Sequence, residues 1–134
     1  MISEKISEPI IVANADVISS IDYSNLLEYH ILNKNFVTVC IRQYISTVPF
    51  GVIKIKDDNI TELVEKPSKS YNINAGIYIF DPKALSYLVK NVYIDIPEYL
   101  SNLIEKGKRI SVFPIHEEWQ DIGVHKIYEE FKNK

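Results

Sequence analysis

Asp16 and Asp121 are the residues with the most to offer chemically. Each ends or follows an apolar segment, so each can project a carboxylate into a crevice at a strand end. Two hard oxygen ligands holding a Mg²⁺ that also takes phosphate oxygens is the ordinary arrangement for that ion. The alternative for each is local: Asp16 makes an Asx-type turn, and Asp121 caps a helix beginning near Val124. A second group lies in Glu65-Lys66-Pro67-Ser68-Lys69-Ser70-Tyr71-Asn72-Ile73-Asn74-Ala75-Gly76. There the carboxylate of Glu65, the ammonium of Lys66 and the carboxamide of Asn74 set hydroxyl-binding and anion-binding groups side by side. Gly76 lets something approach the backbone closely where the next strand emerges. The same stretch also reads as a solvated charged turn before a core strand.

The elements that must position these groups follow from pattern. Pro9-Ile10-Ile11-Val12-Ala13 shows no polar alternation, as in a parallel strand covered on both faces, and it ends at Asn14-Ala15-Asp16. Asp22 caps a helix in which Tyr23, Leu26, Leu27 and His30 recur at helical spacing. Residues 36–41 are another apolar strand, so strand, helix and strand make a βαβ unit with a right-handed crossover. Residues 51–55 and 59–65 flank Asp57-Asp58 as a hairpin with an acidic turn. Pro67 stops its second arm, a polar loop follows, and Ile77-Tyr78-Ile79-Phe80 is a buried strand. Asp81-Pro82 opens a helix with Leu85, Leu88 and Val89 as its buried stripe. Pro97 opens another with Leu100, Leu103 and Ile104 inward, and Gly107 terminates it. Residues 110–115 form a strand that Pro114 sets at an edge or bends. Trp119 fills core with one edge exposed. Val124, Ile127, Tyr128 and Phe131 give a last amphipathic helix. The sum is one domain over residues 1–134, a three-layer α/β fold with a mixed sheet.

Composition narrows the function classes. A net charge of -3, with no basic stripe, argues against a nucleic-acid backbone as partner. Cys40 is the only cysteine, so there is neither a disulfide framework nor a cysteine metal site. It reads as a buried, inert thiol in a reducing cytoplasm. No apolar run approaches membrane-spanning length, and Met1-Ile2-Ser3-Glu4-Lys5 is no signal peptide. His30, His116 and His125 show no ligand spacing. Neither G-x-x-x-x-G-K-[ST] nor G-x-G-x-x-G occurs among four glycines.

Five pieces, in order, resemble the sugar-1-phosphate nucleotidyltransferases: Ala13-Asn14-Ala15-Asp16-Val17, Phe50-Gly51-Val52, Glu65-Lys66-Pro67 with Asn74-Ala75-Gly76-Ile77-Tyr78, Ile96-Pro97-Glu98, and Glu118-Trp119-Gln120-Asp121-Ile122-Gly123. The resemblance covers nearly the whole chain. It implies a Rossmann-like fold and a reaction in which an NTP and a sugar 1-phosphate give an NDP-sugar and pyrophosphate. It makes Asp16 and Asp121 the Mg²⁺ ligands and Lys66 the partner of the sugar phosphate. Glu65 and Asn74 would bind sugar hydroxyls, with Gly51 and Gly76 leaving room. The run 110–122 is most similar to members that use GTP with mannose- or glucosamine-type sugars.

The chain departs from that family in three ways. The Gly-rich loop that cradles the triphosphate is missing, so this reads as the C-terminal two-thirds of such a domain, without turnover on its own. Ala15 stands where the family has glycine, and Val124-His125 replace Thr-Pro. The alternatives are a non-catalytic sugar-phosphate-binding or regulatory remnant and an α/β interaction domain. Asp16, Lys66, Asn74 and Asp121 are expected at one crevice. Residues 10–12, left uncovered, are expected to draw a second copy into a homo-oligomer.

Overall fold

A computed structural model describes residues 6–123. The chain runs through β1 (Ile10–Ala13), β2 (Val17–Ser19), α1 (Tyr23–Leu32), β3 (Val37–Thr47), β4 (Val52–Lys56) and β5 (Asn59–Val64). It continues with β6 (Ser68–Phe80), α2 (Pro82–Leu85), α3 (Ile96–Glu105), β7 (Ile110–Pro114) and β8 (Trp119–Asp121). Contacts divide it into two compact units, one of them Arg42–Ile73 and the other the rest.

In the first unit the strand order is β1-β6-β3-β7. β1 runs antiparallel to β6 and β3 parallel to β7, so the sheet is mixed. Period-two alternation sorts β6 between two cores. Ile77 and Ile79 join Leu26, Cys40 and Ile115 on the α1 side, while Tyr78 and Phe80 join Val37, Val39, Tyr99 and Leu103 on the α2–α3 side. Each such aliphatic side chain contributes roughly 1.5–3 kcal/mol of burial. Helix, sheet and helix make the three layers that the pattern predicts, with Pro114 on the edge strand β7.

The helix ends follow their caps. Asp22 accepts from the Ser24 amide at 2.8 Å and Asp95 from the Glu98 amide at 2.8 Å. Gly107, at φ 72°, closes α3: its amide reaches the Ile104 carbonyl and that of Lys108 reaches Leu103.

Several expectations need correcting. β1 is not covered on both faces: it is an edge strand with burial on alternate residues, and Ile11 is exposed. The βαβ link exists, but β6 lies between β1 and β3, because its last six residues are the most deeply buried run in the sheet. α2 stops at Leu85, and Leu88 and Val89 are exposed rather than a buried stripe. The amides of Tyr87 and Leu88 bond three residues back, to Ala84 and Leu85, which winds the chain into turns. Ile104 is exposed, and Tyr99 takes the inward place with Leu103. The last helix, with Val124, Ile127, Tyr128 and Phe131, lies outside the described residues.

The second unit holds the β4–β5 hairpin and the outer parts of β3 and β6. Asp57 and Asp58 have φ of 50° and 61°, the positive pair that a two-residue type I′ turn requires. Lys54 faces Glu62 across the ladder and forms an ion pair with it. No residue of β4 or β5 is buried. The polar loop expected after Pro67 is instead strand, since β6 starts at Ser68 and runs thirteen residues. Val48 bonds the Pro67 carbonyl and Thr47 Oγ1 meets Ser68 Oγ, so the polar residues find strand partners without needing a core.

Candidate active site

The site begins at a turn. The Val17 amide bonds the Asn14 carbonyl at 3.3 Å, which turns Asn14-Ala15-Asp16-Val17 out of β1 and into β2. β2 then pairs antiparallel with β8, with Val17 opposite Asp121. Nothing in the sequence pattern announced this ribbon of two three-residue strands, and it is what brings the two aspartates together. The Ile122 amide bonds the Asp16 carbonyl at 2.9 Å and fixes the register.

Gly123 marks where the carboxylates meet. A Cβ at Gly123 would stand 2.9 Å from Asp16 Oδ2 and 3.1 Å from Asp121 Oδ1. Both carboxylates therefore face one point, and the absent side chain keeps that point open. Asp121 Oδ1 also accepts from the Gly123 amide at 2.9 Å. The local turn role and the ligand role coexist, because the hydrogen bond that closes the turn also aims the carboxylate. Two adjacent carboxylates, one on exposed Asp16 and one on half-buried Asp121, suit Mg²⁺, which keeps waters and takes one or two carboxylates plus phosphate oxygens. Among the described residues no cluster of three or more His, Cys, Asp or Glu forms, so water and substrate oxygens would complete such a site.

Gly76 stands beside this turn. Its φ is 72°, and a Cβ there would come within 2.8 Å of Asn14 Nδ2 and 3.1 Å of Val17 Cγ2. Its carbonyl accepts from the Asn14 amide at 2.8 Å. The glycine makes room for the chain's own Asn14, a contact the sequence reading missed. Asn74 is locked in place: Oδ1 accepts from the Gly76 amide at 2.9 Å and Nδ2 donates to Tyr78 Oη at 2.8 Å. One N–H and one lone pair of that carboxamide remain for a ligand. Burial raises the Tyr78 pKa, with the Asn74 bond acting the other way. Trp119 Nε1 donates to the Ala75 carbonyl at 2.8 Å, tying β8 to the strand behind the site.

Gly51, Glu65 and Lys66 belong to the second unit. A Cβ at Gly51 would lie 3.1 Å from Glu65 Oε2, so this glycine accommodates the Glu65 carboxylate. Lys66 has φ 46°, and its amide donates to the Phe50 carbonyl at 3.2 Å. A lysine in the left-handed region costs about 1–2 kcal/mol relative to an ordinary conformation. Such strain clusters at residues that hold ligands. The structure thus joins Asp16 to Asp121, and Asn74 to Gly76, within one unit. Glu65, Lys66 and Gly51 lie together in the other unit.

A family model described as nucleotidyl transferase matches residues 1–134. A glucose-1-phosphate adenylyltransferase of Bacillus subtilis is 32% identical over 128 residues, 87% of this chain and 34% of the relative. The mannose-1-phosphate guanylyltransferase catalytic subunit beta of Drosophila melanogaster is 31% identical over 127 residues, 91% of this chain and 34% of the relative. The chain therefore spans about a third of the length of the curated relatives it matches. Among solved structures, HddC from Yersinia pseudotuberculosis shares the fold with a TM-score of 0.61 at 23% identity, over 98% of this chain and 58% of that one.

Proposed function

The chain belongs to the nucleotidyl transferase family, and we propose that it is the part of a sugar-1-phosphate nucleotidyltransferase that binds the sugar phosphate and Mg²⁺. The carrying observation is the pair of carboxylates of Asp16 and Asp121 on either side of the Gly123 gap. The bound cation would neutralise phosphate charge. Lys66 would draw in the sugar phosphate as a point charge, with Glu65 accepting from sugar hydroxyls and Asn74 donating to them through its remaining N–H. Gly51 and Gly76 would act indirectly, by leaving room for the Glu65 carboxylate and for Asn14. In the whole reaction a phosphate oxygen of the sugar attacks the α-phosphorus of the NTP, the bond to the β-phosphate oxygen breaks, and pyrophosphate leaves. Relatives named as guanylyl- and adenylyltransferases both support the class; we favour GTP on the similarity of residues 110–122.

Calorimetric titration with Mg²⁺ and a panel of sugar 1-phosphates tests this. Asp16→Asn and Asp121→Asn should each weaken metal binding at least tenfold, whereas Lys66→Met should weaken only the sugar phosphate. Metal binding unchanged in both aspartate variants would overturn the assignment.

A second reading, a binding module without turnover, has its own observation. The four glycines stand apart at 51, 76, 107 and 123, so these 134 residues contain no Gly-rich phosphate cradle. We also propose that β1 pairs with a second copy, since β6 is its only strand neighbour among the described residues. Sedimentation giving a monomer at all concentrations would refute that pairing. The buried thiol of Cys40 fits a cytoplasmic protein, and no helix among the described residues is long and apolar enough to cross a membrane.

A further inference from the structure

Three aromatic rings pack in the core on the α2–α3 side of the sheet. Tyr78 and Phe80 stack with centroids 6.1 Å apart, and Phe80 lies 6.0 Å from Tyr99. All three are buried. A buried hydroxyl costs stability unless it is hydrogen-bonded, so phenylalanine is the safer ring in such a place. Phe80 follows that rule. Tyr99 uses its hydroxyl for the fold, donating to the Ala84 carbonyl on the same side of the sheet. Tyr78 does neither. Its ring is 2% exposed, yet its Oη accepts at 2.8 Å from Nδ2 of Asn74, an exposed side chain four residues back along β6. Packing alone gives no reason for that oxygen.

The other end of the Asn74 carboxamide shows what the oxygen does. A backbone amide can only donate, so the atom 2.9 Å from the Gly76 nitrogen is Asn74 Oδ1, and the NH₂ end is the one that faces Tyr78. The torsion that turns an asparagine carboxamide is soft, and one bond would leave it free to swing. Bonds at both ends hold it. Both anchors are themselves fixed. The Tyr78 ring stands in the aromatic stack. Gly76, at φ 72°, has its carbonyl tied to the Asn14 amide at 2.8 Å, and Trp119 Nε1 holds the intervening Ala75 carbonyl at 2.8 Å. The carboxamide thus presents its remaining N–H and lone pair in one set orientation. A donor and an acceptor on one planar group match a pair of neighbouring sugar hydroxyls, one accepting and the other donating.

We propose that Tyr78 is a positioning residue that sets the choice of sugar through Asn74, a role that rests on the sugar-phosphate function proposed above. Buried as it is, Tyr78 does not touch the ligand. Its hydroxyl keeps the Asn74 carboxamide in the orientation that reads two hydroxyls at once. A site prearranged in this way rejects an analogue that lacks one hydroxyl, because a polar group of the site then goes unmet.

Tyr78→Phe tests it, since it removes only the hydroxyl and keeps the ring in the stack. Heteronuclear NMR of the free full chain gives one readout: the two Nδ2 protons of Asn74 should be well separated in the parent and should converge in the variant. Calorimetry gives another, with the sugar 1-phosphate that binds best and its singly deoxygenated analogues. In the parent at least one analogue should bind about tenfold more weakly. Tyr78→Phe should bind the intact sugar phosphate several-fold more weakly and discriminate less among the analogues, with Mg²⁺ affinity unchanged. In an Asn74→Ala background it should make no further difference. Unchanged Asn74 signals, unchanged discrimination, a matching loss of Mg²⁺ affinity, or an equal loss with and without Asn74 would each overturn the proposal while leaving the sugar-phosphate function standing. A parent that binds none of the sugar 1-phosphates would overturn that function, and the role of Tyr78 with it.

Discussion

The two glycines with positive φ separate two physical effects at the residue scale. Gly76 and Gly107 share a φ of 72°, but a Cβ at Gly76 strikes Asn14 whereas one at Gly107 meets nothing within 4 Å. Gly107→Ala should therefore cost only the backbone term, about 1 kcal/mol. Gly76→Ala should add a steric term, for a total of about 2–4 kcal/mol. Urea midpoints for the two variants give the comparison, and equal losses would refute the close approach of Asn14. His30 sets a pH dependence. Its folded pKa is lowered from 6.5, chiefly by burial, so the unfolded chain binds the proton more readily. Its stability contribution is complete above 6.5 and is lost as pH falls from there toward the lower folded value. The loss can reach about 1.4 kcal/mol per pH unit within that window. His30→Gln should flatten the slope between neutrality and mild acid; an unchanged slope would assign it to other groups. Cys40, whose pKa burial and then Glu117 push up to about 12, should react with iodoacetamide only at the rate of unfolding.

Legibility at the scale of elements followed the strength of the periodic signal. The strands built on Val37 to Ile41 and Ile77 to Phe80, the caps at Asp22 and Asp81, and the Gly107 stop were all readable, because each is fixed by local chemistry. What escaped was set by pairing. The β2–β8 ribbon is only three residues a side, too short for alternation to register, and its reason for existing lies in a contact across the chain. The outer half of β6 reads as loop because Ser68 to Asn72 are polar, and only its neighbours reveal the strand. For the site, Asp16 and Asp121 were visible as residue types, but the Gly123 gap that unites them appears only in three dimensions. The hairpin turn carries a test of its own. Asn-Gly suits a type I′ turn better than Asp57-Asp58, since glycine takes positive φ without steric cost. Asp57→Asn with Asp58→Gly should stabilise the hairpin by about 0.5–1 kcal/mol. Slower amide exchange across β4 and β5 would report it, and faster exchange would contradict the turn type.

The whole molecule distributes its chemistry over two units. Asp16, Asp121, Asn74 and Gly76 sit in one, and Gly51, Glu65 and Lys66 in the other. Nucleotidyl transfer asks for more than these groups supply. The leaving pyrophosphate needs donors fixed around the phosphate chain, and removing a single such donor commonly costs about a hundredfold or more in rate. The described residues offer two aspartates and Lys66 for this charge, and isolated glycines cannot form a row of backbone amides aimed at a triphosphate. We therefore expect these 134 residues alone to bind Mg²⁺ and a sugar 1-phosphate without transferring a nucleotide. Pyrophosphate release, followed with GTP and ATP against a sugar 1-phosphate panel, is the measurement. Turnover near one per second or faster, within the ordinary enzyme range, would refute the expectation. It would mean that groups here treated as scaffold, or a second copy of the chain, hold the triphosphate. If the chain is silent, supplying a Gly-rich nucleotide-binding segment from a relative, fused ahead of β1, should restore release, and Asp16→Asn should abolish it again. A fusion that binds NTP but stays silent would favour the binding module over the enzyme.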